Sequence, residues 1–351
     1  GLGRSPVAGD FNADGRVDLA VGASYYTSDI GEAYIFYNDG SYPANAANAD
    51  VVIGGQGLYS HFGDALATGD WNADGRTDLV AGAPGYRGAI LQGRAYIFYS
   101  QNGQVNTNQS IAGETTSNSF GAAMTTGDFN ADGRMDLAVG ARGYSTSRGR
   151  AYIFYGDGQI SSTATTADVT IDGGGGGSDS FGRTLGAGDW NADGETDLAV
   201  SGGLSAGTGI VYLFYNDGSI PTTAATADVT ITGEAGTIFG ASLTAGDFNV
   251  DGEIDLAVSA SGYSSDTGRA YIFYNGSIIT ENASGADVII TGETTSNFFG
   301  ISLTAGDFNA DGRVDLAVGA YNYSSNTGRV YLFNNGSTTT ENASGADTTI
   351  T

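Results

Sequence analysis

The sequence predicts an all-β fold, a six-bladed β-propeller built from four-stranded antiparallel blades. Three observations lead there. The fifteen residues GDFNADGRVDLAVGA at 9–23 return unchanged at 306–320, and four near-copies lie between them. The first aspartates of the six copies (Asp10, Asp70, Asp128, Asp189, Asp247, Asp307) are spaced by 60, 58, 61, 58 and 60 residues, a period that marks a repeat architecture. Each period holds four short runs of strand character, and no stretch of ten residues has helical apolar periodicity.

The second period shows the elements in order. FGDALATGD, TDLVAGA, GRAYIFY and a weaker NQSIAG read as four strands. The third is apolar on both faces, with Tyr96 and Phe98 on one side and Ala95, Ile97 and Tyr99 on the other. Such a strand suits burial between two layers. Elsewhere the fourth run is clearer, as in ADVVIGG from Ala49, ADVTITG from Ala227 and ADVIITG from Ala286. Turns such as NDGS separate the runs. Parallel β-solenoids are the main rival, but their coils are shorter. The predicted blades are 1–60, 61–118, 119–179, 180–237, 238–297 and 298–351, forming one structural unit over 1–351. The chain begins inside a first strand and ends inside a fourth, with no strand visibly shared to clasp a ring. Closure is then expected from packing of the first and last blades, from further sequence, or from another subunit.

Composition narrows the function. The formal charge is −26, from 39 acidic residues against 13 basic ones, and every basic residue is arginine. Nucleic acid and anionic membranes are bound through positive charge, so neither is an expected partner. There is no cysteine, hence no disulfide or thiolate metal site. No run resembles a transmembrane span or a signal peptide, so no direct membrane insertion is expected.

The acidic stretch carries the chemistry. Its spine is D-x-N-x-D-G-x-x-D in every copy: Asp10, Asn12, Asp14 and Asp18; Asp70, Asn72, Asp74 and Asp78; Asp128, Asn130, Asp132 and Asp136. The last three copies give Asp189, Asn191, Asp193 and Asp197; Asp247, Asn249, Asp251 and Asp255; Asp307, Asn309, Asp311 and Asp315. Oxygen side chains at positions 1, 3 and 5 can face one concavity if the backbone curls, and glycine at position 6 permits the turn. A carboxylate at position 9 and a main-chain carbonyl at position 7 would complete a shell of the kind Ca²⁺ requires. Position 7 is Arg16, Arg76, Arg134, Glu195, Glu253 or Arg313, so its side-chain charge is free to change sign. About six Ca²⁺ ions, one per blade and mainly structural, are therefore expected. They would bring the formal charge from −26 to −14, two charges for each ion. Position 2 is always Phe or Trp, expected to anchor the loop to the core. Simple polar Asx turns are the alternative, but three carboxylates within nine residues repel one another without a cation.

These units resemble FG-GAP repeats, the blades of the N-terminal β-propeller of integrin α subunits and of related microbial proteins. Phe62-Gly63 with Gly82-Ala83-Pro84 gives both parts of the name, and Phe120-Gly121, Phe181-Gly182, Phe239-Gly240 and Phe299-Gly300 supply the first part again. The first unit has Leu2-Gly3 instead. Integrin propellers have seven blades with calcium loops in only some, whereas six blades, all with loops, are counted here. The resemblance implies calcium loops on one face and ligand contact on the opposite face, in the loops that join strands two to three and four to one. There a tyrosine recurs (Tyr26, Tyr86, Tyr144, Tyr263, Tyr323), with Ser205 in the fourth blade. Each tyrosine either meets a ligand or packs on a neighbouring blade. The second blade adds Arg87, Ile90 and Leu91 to that loop.

Catalysis finds little support, and an acid–base pair such as Asp29 with Glu32 carries no signature. The one histidine, His61, reads as a loop residue, and no nucleophile elbow is present. Sequons at Asn108, Asn275, Asn282, Asn322, Asn335 and Asn342 are about as many as chance gives in so Asn-, Ser- and Thr-rich a chain. The expected function is an extracellular or cell-surface binding or adhesion module for a protein or glycan, not an enzyme. The alternatives are a subunit that self-assembles into a filament or surface layer, as a homo-oligomer or polymer, and an accessory domain of a polysaccharide-acting enzyme.

Overall fold

The computed structural model describes residues 3–43, 45–85, 92–101, 104–157, 160–174, 179–203, 207–276, 278, 281–334 and 341–351. They fall into two compact units: Gly1–Gly173 with Phe181–Arg183, and Gly174–Ser180 with Thr184–Thr351. The first holds blades one to three and the second holds blades four to six.

Every predicted blade is present as a meander in which strands pair in chain order. Blade one runs Arg4–Gly9, Asp18–Ala23, Glu32–Phe36 and Val51–Gly54. The sixth runs Ser302–Gly306, Asp315–Ala320, Arg329–Phe333 and Thr348–Ile350. Register repeats between blades: Leu79 pairs with Phe98, Leu137 with Phe154 and Leu256 with Phe273. A one-residue slip would exchange the two faces of a strand, and here both faces are apolar but differently shaped.

The core lies between adjacent blades. Ala33 and Ile35 of blade one meet Phe62, Leu79, Tyr96 and Phe98 of blade two. Ala95 and Ile97 of blade two meet Phe120, Leu137, Tyr152 and Phe154 of blade three. In the second unit Val211 and Leu213 face Tyr271 and Phe273, and Ala270 and Ile272 face Tyr331 and Phe333. The third strand is thus small on the side that receives the next blade and aromatic on the side that faces the previous one. Burying each of these aromatic side chains contributes roughly 2–3 kcal/mol.

Two features differ from expectation. The fourth strand of blade two, read as weak, is the longest, Gln104–Ala112, because a hairpin lets it follow Arg94–Gln101 past a bulge at Ile97/Phe98. The sequence also gave no hint that the segment before the fourth strand reaches back to the preceding blade. Glu281–Asn282 pairs in parallel with the last strand of blade four, and Glu341–Asn342 with that of blade five. Ala112 and Thr163 form the equivalent bridge in the first unit. Among the described residues, helix is limited to single turns, and none is long and apolar enough to cross a membrane.

Candidate functional site

The acidic turn before each second strand is built the same way in all six blades. In blade one the Asp14 N–H donates to Asp10 Oδ1 at 3.0 Å and to Asn12 Oδ1 at 2.9 Å, so oxygens from positions 1 and 3 converge on one donor. Gly15 N–H donates to Asp10 Oδ2, and Arg16 N–H to Asp14 Oδ1, both at 2.9 Å. The same bonds form around Asp70, Asp128, Asp189, Asp247 and Asp307. The curl needs left-handed backbone twice. Position 6 glycine supplies it, as at Gly15 (φ 84°) and Gly75 (φ 82°). The residue at position 4 supplies it too (Ala13, Ala73, Ala131, Ala192, Val250 and Ala310, φ 56–63°), which the sequence did not signal.

Position 9 does something else first. Asp18, Asp78, Asp136, Asp197, Asp255 and Asp315 are fully buried. Asp136 Oδ2 accepts from Phe129 N–H and Oδ1 from Gly156 N–H, both at 2.8 Å, which ties the acidic turn to the end of the third strand. Asp78 does this with Trp71 and Ser100, and Asp18 with Phe11 and Asn38. Burial pushes the carboxyls of Asp78, Asp136, Asp197 and Asp255 up to about 6. Main-chain N–H donors oppose that shift, and the carboxylates at positions 5 and 1 add to it. The side chains at position 7 point elsewhere in blades one and two, where Arg16 and Arg76 reach the carbonyls of Asn38 and Ser100. Position 2 is buried as expected in five blades (Phe11, Trp71, Phe129, Trp190, Phe248), whereas Phe308 is 46% exposed.

Among the described residues, no three acidic or imidazole groups form a ready metal cage. The donor set nevertheless fits a hard cation, since it is all oxygen, and the main chain already gathers two of those oxygens at one point. Each carboxylate oxygen that accepts one N–H keeps a second lone pair for a ligand bond.

A second set of aspartates, missed in the sequence, works on the same strands. Asp50, Asp168, Asp228, Asp287 and Asp347 accept from the N–H of Tyr37, Tyr155, Tyr215, Tyr274 and Asn334 at 2.7–2.8 Å. The available signal was the Ala-Asp pair just before the fourth strand in five of the six blades.

At the other end of the second strand, the tyrosine turns are not alike. Tyr144, Tyr263 and Tyr323 are half-buried beneath the guanidinium groups of Arg150, Arg269 and Arg329, which lie 4.0, 3.6 and 3.7 Å from the ring centres. Each arginine also pairs with a glutamate of the preceding blade, Glu114, Glu234 or Glu293. Tyr26 has Glu32 at the arginine position and is 50% exposed. Tyr86, Arg87, Ile90, Leu91 and Ser205 lie outside the described residues. Tyr25 (52% exposed) stands edge-on to His61, and His61 N–H donates to Asp29 O, so the 56–63 loop packs on this turn and brings exposed Leu58 and Tyr59 with it. Of the sequons, Asn275 and Asn322 already donate through their amides to main-chain carbonyls, and Asn282 is exposed. Asn335 and the side chain of Asn108 lie outside the described residues.

A family model for the FG-GAP repeat matches residues 2–36, 62–98, 120–154, 239–273 and 299–333, about half of the chain. Phosphatidylinositol-glycan-specific phospholipase D of Mus musculus is 36% identical over 45% of the chain and 21% of that protein. Integrin alpha-PS2 of Drosophila melanogaster is 36% identical over 44% of the chain and 12% of its own length. Integrin alpha-IIb of Mus musculus is 33% identical over 41% and 15%. The matched stretch therefore spans about a fifth or less of each of these relatives.

Proposed function

The chain belongs to the FG-GAP repeat family, and on that premise we propose that it is an extracellular, calcium-loaded propeller that binds a protein or a glycan without catalysing a reaction. The observation that carries the calcium reading is the sixfold acidic turn, in which main-chain donors aim oxygens from positions 1 and 3 at one point. Asp and Asn side chains at positions 1, 3, 5 and 9, with the carbonyl at position 7, would hold each ion. When bound, Ca²⁺ supplies the charge that lets these carboxylates sit together, and millimolar extracellular calcium suits sites of modest affinity.

Likeness to two integrin alpha chains supports the binding role. The surface best suited to it is the group of Tyr25, Tyr26 and Tyr59 with the apolar Leu58, because exposed rings stack on sugar faces and anchor protein partners. A glycan array and a panel of matrix proteins, probed in millimolar calcium, test the proposal. Saturable binding that falls at least tenfold in a Tyr26→Ala/Tyr59→Ala variant is expected. Binding that ignores both tyrosines would remove this surface from the proposal, and ordered polymers in electron micrographs would favour a structural subunit instead.

The phospholipase D match motivates a second reading, an accessory module of a larger enzyme. Tighter binding of the purified chain to vesicles that carry a phosphatidylinositol-glycan than to vesicles without it would support that reading, and equal binding would count against it.

A further inference from the structure

Eight of the thirteen arginines fill repeated positions, four in the acidic turns and four at the start of third strands. Arg142 and Arg183 belong to neither set. Arg142 follows the second strand of blade three, Asp136–Ala141. Arg183 follows Phe181-Gly182, and that step lies against the same strand end. A Cβ added at Gly140 would stand 2.1 Å from the Gly182 carbonyl oxygen, and one at Gly182 would stand 3.3 Å from Ala141 N. Two arginines therefore leave adjoining main-chain positions, and both belong to the first compact unit. At corresponding positions the pairs are Ser24 with Asp64 and Ser261 with Ile301, neither of which sets like charges together.

The pair has no counter-charge. In a chain with 39 acidic residues against 13 basic ones, neither arginine forms an ion pair among the described residues. Arg183 Nη1 is buried and has no hydrogen-bond acceptor among them. Burial first, and then the charge of Arg142, push the Arg183 guanidinium below its usual value. A buried donor without an acceptor is costly, and a like charge beside it adds to the cost. An oxyanion meets both demands, because a carboxylate or sulfate accepts from guanidinium forks and cancels their charge. Arg142 is exposed and Arg183 is only half-buried, so the pair can be reached from solvent.

The surface next to Arg142 points to what carries the oxyanion. Gly143 lines an open cleft of about 460 Å³ whose walls are Thr115, Thr116, Ser145 and Thr146, with Tyr144 among them. Gly143 N–H donates to Asn118 O at 3.0 Å, which joins the two walls. Hydroxyl groups both donate and accept, matching those of a sugar, and the volume lies in the range of roughly 300–1,000 Å³ usual for small-ligand sites. We propose that Arg142 and Arg183 hold the carboxylate or sulfate of an acidic sugar whose ring lies in this hydroxyl-lined cleft. The proposal rests on the binding role given above, but it uses neither the Tyr26 and Tyr59 surface nor the acidic turns.

The test is titration of the whole protein, in millimolar calcium, with three tetrasaccharides. Hyaluronan tetrasaccharide carries carboxylates alone, keratan sulfate tetrasaccharide carries sulfates alone, and chitotetraose carries no charge. At least one acidic sugar should bind saturably below about 1 mM and about tenfold or more tighter than chitotetraose. Which one binds tells carboxylate from sulfate. Arg142→Gln, at an exposed position, and Arg183→Gln should each weaken that binding by about tenfold. Arg183→Gln should not lower the melting temperature of the sugar-free protein, as loss of a purely structural arginine would. The acidic sugar should raise the melting temperature of the parent protein and not that of the variant. The proposal is overturned if no acidic sugar binds below about 1 mM, if chitotetraose binds as tightly, or if both arginine variants leave binding unchanged. Tighter binding of tetraglutamate than of either acidic sugar also overturns it and gives the pair to an acidic peptide. A ligand that depends on Tyr26 and Tyr59, with neither acidic sugar bound, would overturn this proposal alone. Acidic-sugar binding that depends on Arg142, with no ligand depending on the tyrosines, would remove the tyrosine surface alone.

Discussion

At its entry, the second strand of every blade carries the same acidic turn, whereas at its exit, among the described residues, the tyrosine of blade one differs in exposure and partner from those of blades three, five and six. The entry turn is closed by its own main chain: Asp10, Asn12 and Asp14 accept N–H groups from within the nine-residue stretch. These bonds lie within the stretch, so they repeat unchanged in every copy. The exit turn is closed by neighbours. Tyr263 lies under Arg269, and Arg269 is held by Glu234 of the preceding blade. Where glutamate replaces the arginine, at Glu32, the tyrosine is left in solvent. A site that depends on itself can be repeated without change, and one that depends on a neighbour diverges with it.

Chelation should produce the largest effect on this contrast. Each cation site kept at 100 times its dissociation constant stabilises the fold by about 2.7 kcal/mol. Excess EDTA should therefore lower the melting temperature by on the order of 10 °C or more. A melt unchanged by EDTA would remove calcium from the entry turns.

Two glycines with the same backbone sharpen the comparison. Gly149→Ala would drive a methyl group into the main chain of Phe181, and a loss of about 3 kcal/mol is expected in denaturant melts. Gly133→Ala meets open space at φ 83°, so only the left-handed strain of about 1 kcal/mol remains. Equal losses would mean that the close approach to Phe181 contributes nothing beyond backbone conformation.

Within the entry turn, Asp136→Ala should cost about 2–4 kcal/mol even in EDTA, because two buried N–H groups lose their acceptor, and should remove that blade's share of the calcium effect as well. Asp132→Ala, at an exposed position, should cost little in EDTA and remove that blade's share of the calcium effect. Calorimetry of both variants with and without the ion separates the two roles.

The buried carboxyls also give a pH dependence. Folding raises Asp78, Asp136, Asp197 and Asp255 from 3.8 to about 6, so between those values the folded chain holds more protons than the unfolded one. In EDTA, stability should fall as pH rises from about 4 to about 6 and level off above. With calcium the slope should reverse, because the ion requires deprotonated oxygens. A flat profile in EDTA would show that these groups ionise in the fold as freely as in the open chain.

Smallest are two local changes. Val250, a β-branched residue at φ 63°, should gain about 1 kcal/mol on replacement by Asn. Tyr263→Ala should lose about 1 kcal/mol with its cation–π contact, against no measurable change for exposed Tyr26→Ala. A matching loss at Tyr26 would put both exit turns under one rule after all.

The repeat, the strand order within each blade and the residues of the entry turn are legible along the chain. All three are set by local spacing: a 60-residue period, alternation along short strands, and a glycine placed where the turn needs left-handed backbone. Spacing does not announce the left-handed alanine at position 4, because alanine carries no signature of that conformation. Which tyrosines lie under arginines depends on packing between blades, since Arg150 is oriented by Glu114, 36 residues earlier and in another blade. Packing also makes Asp136 the anchor of the third strand through Gly156. Those facts depend on which surfaces meet, and the spacing of residues along one chain does not record that.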